Sequence, residues 1–99
     1  MGQAENNITK HIKDFLKSKD IWHVKYFANA FTSVGIPDIL ACVKGRFVGI
    51  EVKTNVGKLS EIQKYQGERL QKSGGLWYCV RPSNFDEFKQ DIERMMKNE

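Results

Sequence analysis

Cysteine and proline are scarce in this chain, with two of each among 99 residues. Cys42 and Cys79 lie far apart, in separate apolar runs. There is no Cys-x-x-Cys and no histidine at zinc-ligand spacing, so a disulfide scaffold and a zinc site are both excluded. Buried, reduced thiols are the expectation for both cysteines. The two histidines, His11 and His23, are isolated and carry no assigned role. No apolar run approaches the ~18 residues a membrane-spanning helix requires. The opening segment from Met1 to Asn6 lacks the hydrophobic stretch of a signal peptide, so secretion is not expected. Met1-Gly2 superficially matches a myristoylation start, but Asn6 stands where serine or threonine is wanted. There is no repeat, low-complexity tract or linker, and residues 1–99 are expected to form a single domain.

What is present is a mixture ordinary for a folded domain, 40% hydrophobic and 28% charged. The net charge of +4 is uneven. Residues 83–99 carry three basic and five acidic side chains, leaving 13 basic and 7 acidic in residues 1–82. The larger part is therefore suited to contact with phosphate, although such a charge also serves solubility.

Periodicity sets out an order of elements. Residues 4–18 read as a helix whose apolar stripe is Ile8, Ile12, Phe15 and Leu16, with Glu5 one turn earlier on the same stripe. Residues 21–27 read as a strand, and residues 29–37 as a loop closed by Gly35-Ile36-Pro37. Two strands follow, 38–43 and 46–53, around Lys44-Gly45. Ser60 opens a helix to about residue 72, which Gly74-Gly75 ends. Residues 76–80 form a fourth strand, which the helical crossover places parallel to its neighbour and inside the sheet. A final amphipathic helix runs through Phe85, Phe88, Ile92 and Met95 or Met96. The aromatics Trp22, Tyr26, Phe27, Trp77 and Tyr78 occupy strand-like runs and are expected in the core rather than as base-stacking platforms.

The chemistry concentrates in Pro37-Asp38 and Glu51-Val52-Lys53. If Lys44-Gly45 is a two-residue turn, Val43 pairs with Arg46 and Asp38 falls opposite Glu51. Lys53 then projects from the same face as Glu51, while Ile39, Ala41, Val43, Val48, Ile50 and Val52 make the opposite face wholly apolar. A four-residue loop would instead oppose Asp38 to Lys53, and the polar cluster survives in either register. Two carboxylates so close disfavour one another's ionisation unless a cation separates them. Mg²⁺ accepts one or two carboxylates and fills its remaining positions with water and phosphate oxygens. With Lys53 as an adjacent positive charge, this is equipment for metal-assisted phosphodiester hydrolysis. Each residue alone has an ordinary structural reading, Asp38 as a turn residue after proline and Glu51 with Lys53 as a polar edge.

Pro-Asp followed by Glu-x-Lys across a hairpin resembles the signature of the PD-(D/E)XK nuclease superfamily. Val34-Gly35-Ile36-Pro37-Asp38 with Gly49-Ile50-Glu51-Val52-Lys53 looks like its VRR-Nuc family, as do Leu59-Ser60-Glu61-Ile62-Gln63 and Gly74-Gly75 before the last core strand. The resemblance runs from Glu5 to about Phe88. It implies an α/β, restriction-endonuclease-like αβββαβ core, a mixed four-stranded sheet flanked by helices, here with an added C-terminal helix. It further implies a Mg²⁺-dependent DNA endonuclease, with Mn²⁺ as a possible substitute, leaving 5′-phosphate and 3′-hydroxyl ends. Asp38, Glu51 and the Val52 backbone carbonyl would be the metal ligands, and Lys53 would orient or activate water.

The resemblance also bears on two ambiguous residues. Ser60-x-x-Gln63 fits a helix capping box, whereas the family pattern makes Gln63 an active-site residue, with Gln66 one turn along. Glu5 suits the N-terminal turn of its helix, whereas related junction resolvases place an acidic metal-site residue on the first helix. Arg46, Lys58 and Lys64 are candidate contacts to the DNA backbone, and equally are ordinary solvated side chains.

Stand-alone members of the family occur in phages and bacteria and are similar to Holliday-junction resolvases. A four-way junction needs two symmetric cuts, so the expected assembly is a homodimer in the cytoplasm of a bacterial or phage-infected cell. The alternatives are a general nickase or flap nuclease needing no dimer, a non-catalytic DNA-binding module of the same fold, and a partner-binding domain using the acidic C-terminal helix.

Overall fold

The computed structural model describes residues 3–29 and 33–97. The element order is α1 (Gln3–Ser18), β1 (Trp22–Lys25), β2 (Ile39–Val43), β3 (Arg46–Val52), α2 (Glu61–Lys72), β4 (Leu76–Val80) and, after a 3-10 turn at Pro82–Asn84, α3 (Phe85–Lys97). This is the expected helix, three strands, helix, strand, and closing helix. Part of the expected 29–37 loop, at 30–32, lies outside the described residues, as do Met1 and Gly2.

The sheet runs in the order β1-β2-β3-β4, antiparallel at the first two junctions and parallel at the third. The helical crossover through α2 makes the last pairing parallel, but β4 lies at an edge and not inside. It adds to the free side of β3, and no later strand among the described residues pairs beyond it.

Lys44 and Gly45 both take positive φ, 50° and 84°, which is the two-residue turn whose twist matches the strands. Val43 consequently pairs with Arg46 and Ile39 with Ile50. Because side chains alternate, this register sends Ile39, Ala41, Val43, Val48, Ile50 and Val52 to one face, where all are buried. Ile8, Ile12 and Leu16 of α1, and Phe88 and Ile92 of α3, close over that face. The opposite face is covered in part by α2, where Gly67 lies so close to the Trp77 indole that an added methyl would overlap it.

Two groups of residues depart from the sequence expectation. Trp22 is 62% exposed and Phe27 75% exposed, where both were expected in the core. Cys42 is exposed and Cys79 half-buried, both as free thiols. For Trp22, Cys42 and Cys79 the cause is the same alternation, whereas Phe27 lies beyond the end of β1. Trp22 and Cys42 pair with one another on the face away from α1 and α3, and α2 does not extend over β1 and β2. No helix among the described residues is long and apolar enough to cross a membrane.

Candidate metal centre

The hairpin register extends one step past Ile39 and Ile50 to place Asp38 opposite Glu51, at the end of the sheet far from the turn. Asp38 also continues the ladder with its side chain. Its Oδ2 accepts from the Val52 backbone N–H at 2.9 Å, while its own carbonyl accepts from Tyr26 N–H at 2.8 Å. In an antiparallel pair a residue's N–H and C=O turn to the same neighbour. The Val52 carbonyl therefore lies on the Asp38 side of β3.

Glu51 is only 1% exposed, an unusual position for a carboxylate. Oε1 accepts from the Gln63 side-chain amide at 3.3 Å, and Oε2 is buried with no hydrogen-bond partner. Burial is the main force pushing the Glu51 carboxyl up from its ordinary 4.5 to about 8. The neighbouring Asp38 carboxylate adds to this, Lys53 opposes it, and Glu5 contributes a weaker repulsion. In a metal-free protein near neutral pH, Glu51 is held as the acid. A buried acceptor with no donor, beside a second carboxylate, is an arrangement that a divalent cation would relieve.

Lys53 leaves β3 beside this pair. Its N–H bonds the Val80 carbonyl at 3.0 Å, which holds the backbone to β4 just where the strand ends. Thr54 to Gly57 then turn, with Thr54 Oγ1 accepting from Gly57 N–H at 3.0 Å. Arg81, at the end of β4, donates one guanidinium nitrogen to the carbonyls of both Thr54 and Gly57 at 2.6 Å each. Asn55 accepts from the Ser83 N–H at 2.9 Å. The loop that follows Lys53 is thus pinned to the β4 end by polar contacts.

Gln63 satisfies both readings at once. Its side-chain oxygen accepts from Ser60 N–H at 2.8 Å and its own N–H donates to Ser60 Oγ at 3.2 Å, a complete capping box. The side-chain nitrogen, left free by the cap, is the donor to Glu51. The cap fixes the amide so that only its donor end can face the carboxylate. Gln66 does not join it, because its amide donates to the Val34 carbonyl at 3.2 Å and ties the preceding loop to α2.

Glu5 is half-buried on α1 and its charge reaches Glu51. It does not close in with Asp38 and Glu51, since no cluster of three His, Cys, Asp or Glu side chains poised to hold a metal occurs among the described residues. Lys58 and Lys64 are exposed, Lys64 beside Glu61 at 3.5 Å. Arg46 stands at the turn end of β3, five residues and roughly 16 Å from Glu51. It cannot share a phosphate with the carboxylates.

Sequence reasoning missed two cations. Lys25, only 15% exposed, brings Nζ to 3.9 Å from Asp38 Oδ1. Its proximity follows from the pairing of β1 with β2, which no local pattern announces. Arg81 has no signal of its own, being a lone arginine between a strand and a proline.

Neither a protein-family model nor a curated protein matches this chain.

Proposed function

We propose that this protein is a Mg²⁺-dependent endonuclease of the VRR-Nuc type within the PD-(D/E)XK superfamily, acting on branched DNA as a homodimer. The observation that carries the reading is Glu51. It is a fully buried carboxylate with one oxygen unpartnered, set opposite Asp38 and two residues before Lys53. An isolated buried acid of this kind is costly in a purely structural role, and its surroundings offer oxygen ligands of the sort Mg²⁺ prefers.

Asp38, Glu51 and the Val52 carbonyl would hold the metal, with Glu5 able to join only through water. The bound ion supplies Lewis-acid polarisation of the phosphoryl group and a water of lowered pKa. Lys53 stands beside the carboxylates, where its ammonium orients the attacking water and offsets charge gathering on the phosphoryl oxygens. Gln63 holds Glu51 in place through its fixed amide. Arg81 keeps the loop after Lys53 closed against the sheet and so limits the freedom of the Lys53 side chain. Lys58 and Lys64 supply positive charge on the α2 side of the site for the flanking DNA backbone. Among the described residues there is no recognition helix or base-reading module, which favours DNA shape over base sequence as the specificity determinant. Such an activity belongs where DNA is, in the bacterial or phage-infected cytoplasm.

The test is cleavage of an end-labelled, immobile four-way junction beside the matching linear duplex, with Mg²⁺ and then Mn²⁺, and with Lys53→Ala as control. Paired symmetric nicks at the branch, lost in the variant, are expected. Equal nicking of both DNAs would replace the junction assignment with a general nickase. No cutting with either ion would remove the enzyme reading.

A further inference from the structure

The sheet face that carries the carboxylates continues toward the hairpin turn as an open apolar surface. Trp22, Cys42 and Phe47 form one rung across β1, β2 and β3, and Val24, Leu40 and Gly49 form the next. Trp22 is 62% exposed, Val24 41% and Phe47 44%. None of these six side chains is charged, which suits the surface poorly to a DNA backbone and well to an apolar protein partner. At the second rung Pro37 and Leu70 close directly over Gly49, where a side chain would overlap them, and a hollow is left between them and Phe47. Pro37, Leu40, Phe47 and Leu70 line the resulting groove of about 270 Å³, with Gln66 and Arg69 at its rim.

The geometry points to a second copy of this chain as the occupant, with Trp22 of each protomer seated in the Leu40–Phe47–Leu70 groove of its partner. The face bears both a projecting indole and an apolar groove, one strand to either side of Cys42. A twofold axis near Cys42 exchanges knob and groove, which is the self-complementarity a symmetric dimer needs. A foreign partner would have to match both features, whereas a second copy already does. Trp22 and Phe47 alone expose roughly 240 Å² of side chain, on a scale of about 200–250 Å² for a free aromatic. With Val24, Leu40, Cys42 and the groove walls, the apolar part approaches the ~300–600 Å² that marks an interaction surface. Adding a polar rim brings it near, but not far beyond, the ~800 Å² per partner of a standard interface, so a reversible dimer is expected. The proposal deepens the nuclease reading and rests on that reading for the purpose of the pairing, since the interface lies on the same sheet face as both active sites.

The experiment is sedimentation velocity across a wide concentration range on wild type, Trp22→Ser and Phe47→Ser, together with a short bismaleimide on a Cys79→Ala background. Wild type should pass from monomer to dimer as concentration rises. Both exposed-residue variants should fold normally and raise the dimer dissociation constant at least ~10-fold. Cys42 should be joined to Cys42, and Trp22→Ser should suppress that product. A wild type monomeric throughout, a dimer indifferent to both substitutions, or a dimer in which Cys42 is not joined would each overturn the proposal. The catalytic reading fails separately. Trp22→Ser keeps Asp38, Glu51 and Lys53, so paired junction cuts giving way to single nicks supports the interface. A Trp22-dependent dimer that never cuts DNA would sink the nuclease and leave the interface standing.

Discussion

Replacing Glu51 with glutamine should make the metal-free protein more stable, by an amount that grows as pH rises from 4.5 to about 8. Folding raises the Glu51 carboxyl from 4.5 to about 8, first through burial and then through Asp38. The folded state therefore holds this proton more tightly than the unfolded chain. Its contribution is fully present below pH 4.5 and is lost as pH rises to about 8, after which it is flat. At ~1.4 kcal/mol per unit the displacement corresponds to an upper bound of about 5 kcal/mol. Allowing half for relaxation and water entry leaves about 2–3 kcal/mol. In a domain of this size that is a melting-temperature difference on the order of 10 °C. Glutamine keeps the shape and cannot ionise, so Glu51→Gln should match wild type at pH 5 and exceed it by about that amount at pH 9. The assay is thermal unfolding by circular dichroism in chelator, at pH 5, 7 and 9. Mg²⁺ in place of chelator should recover wild type at pH 9 and leave the variant unmoved. Parallel pH profiles for the two proteins would refute the reasoning, because they would mean that Glu51 ionises freely in the fold.

Four further outcomes follow from the same contacts. Lys53→Ala should lower junction cleavage by at least ~100-fold while leaving the Mg²⁺-dependent thermal shift in place, as a residue acting on water and phosphate rather than holding the ion should do. Gln63→Glu should keep helix stability within ~0.5 kcal/mol of wild type, since glutamate serves the capping box equally. It should still impair activity, because it turns a donor into a second negative charge facing Glu51; Gln63→Ala, measured beside it, should lose both. Arg81→Ala frees the Thr54 and Gly57 carbonyls and should reduce kcat by roughly 10-fold with little effect on metal affinity, the ~10²-fold cost of a misplaced group being the ceiling. Gly67→Ala forces a methyl into the Trp77 ring and should cost ~1–3 kcal/mol in denaturant unfolding.

Local patterns carried most of the architecture. The period of Ile8, Ile12 and Leu16, the Ser60 cap and the alternation around Lys44-Gly45 each state one element, and each element stands as expected. The hairpin register was legible for a specific reason. A register shifted by one residue would oppose Asp38 to Val52 and mix polar with apolar side chains on each face, so the apolar pattern excludes that slip without reference to the remainder of the chain. The sequence itself therefore put Asp38, Glu51 and Lys53 on one face, and the two-residue turn at Lys44-Gly45 set Asp38 opposite Glu51 rather than Lys53. What only the tertiary structure decided is which faces are covered. Trp22 and Cys42 sit in runs that look like core, and they are exposed because α2 lies over β3 and β4 and leaves β1 and β2 open, while Phe27 is exposed beyond the end of β1. The edge position of β4, the approach of Lys25 to Asp38, and the grip of Arg81 on residues 27 and 24 positions away belong to the same class. A periodic pattern reports which side of an element is apolar. It does not report whether another element arrives to cover it, because that depends on contacts between segments distant in the chain.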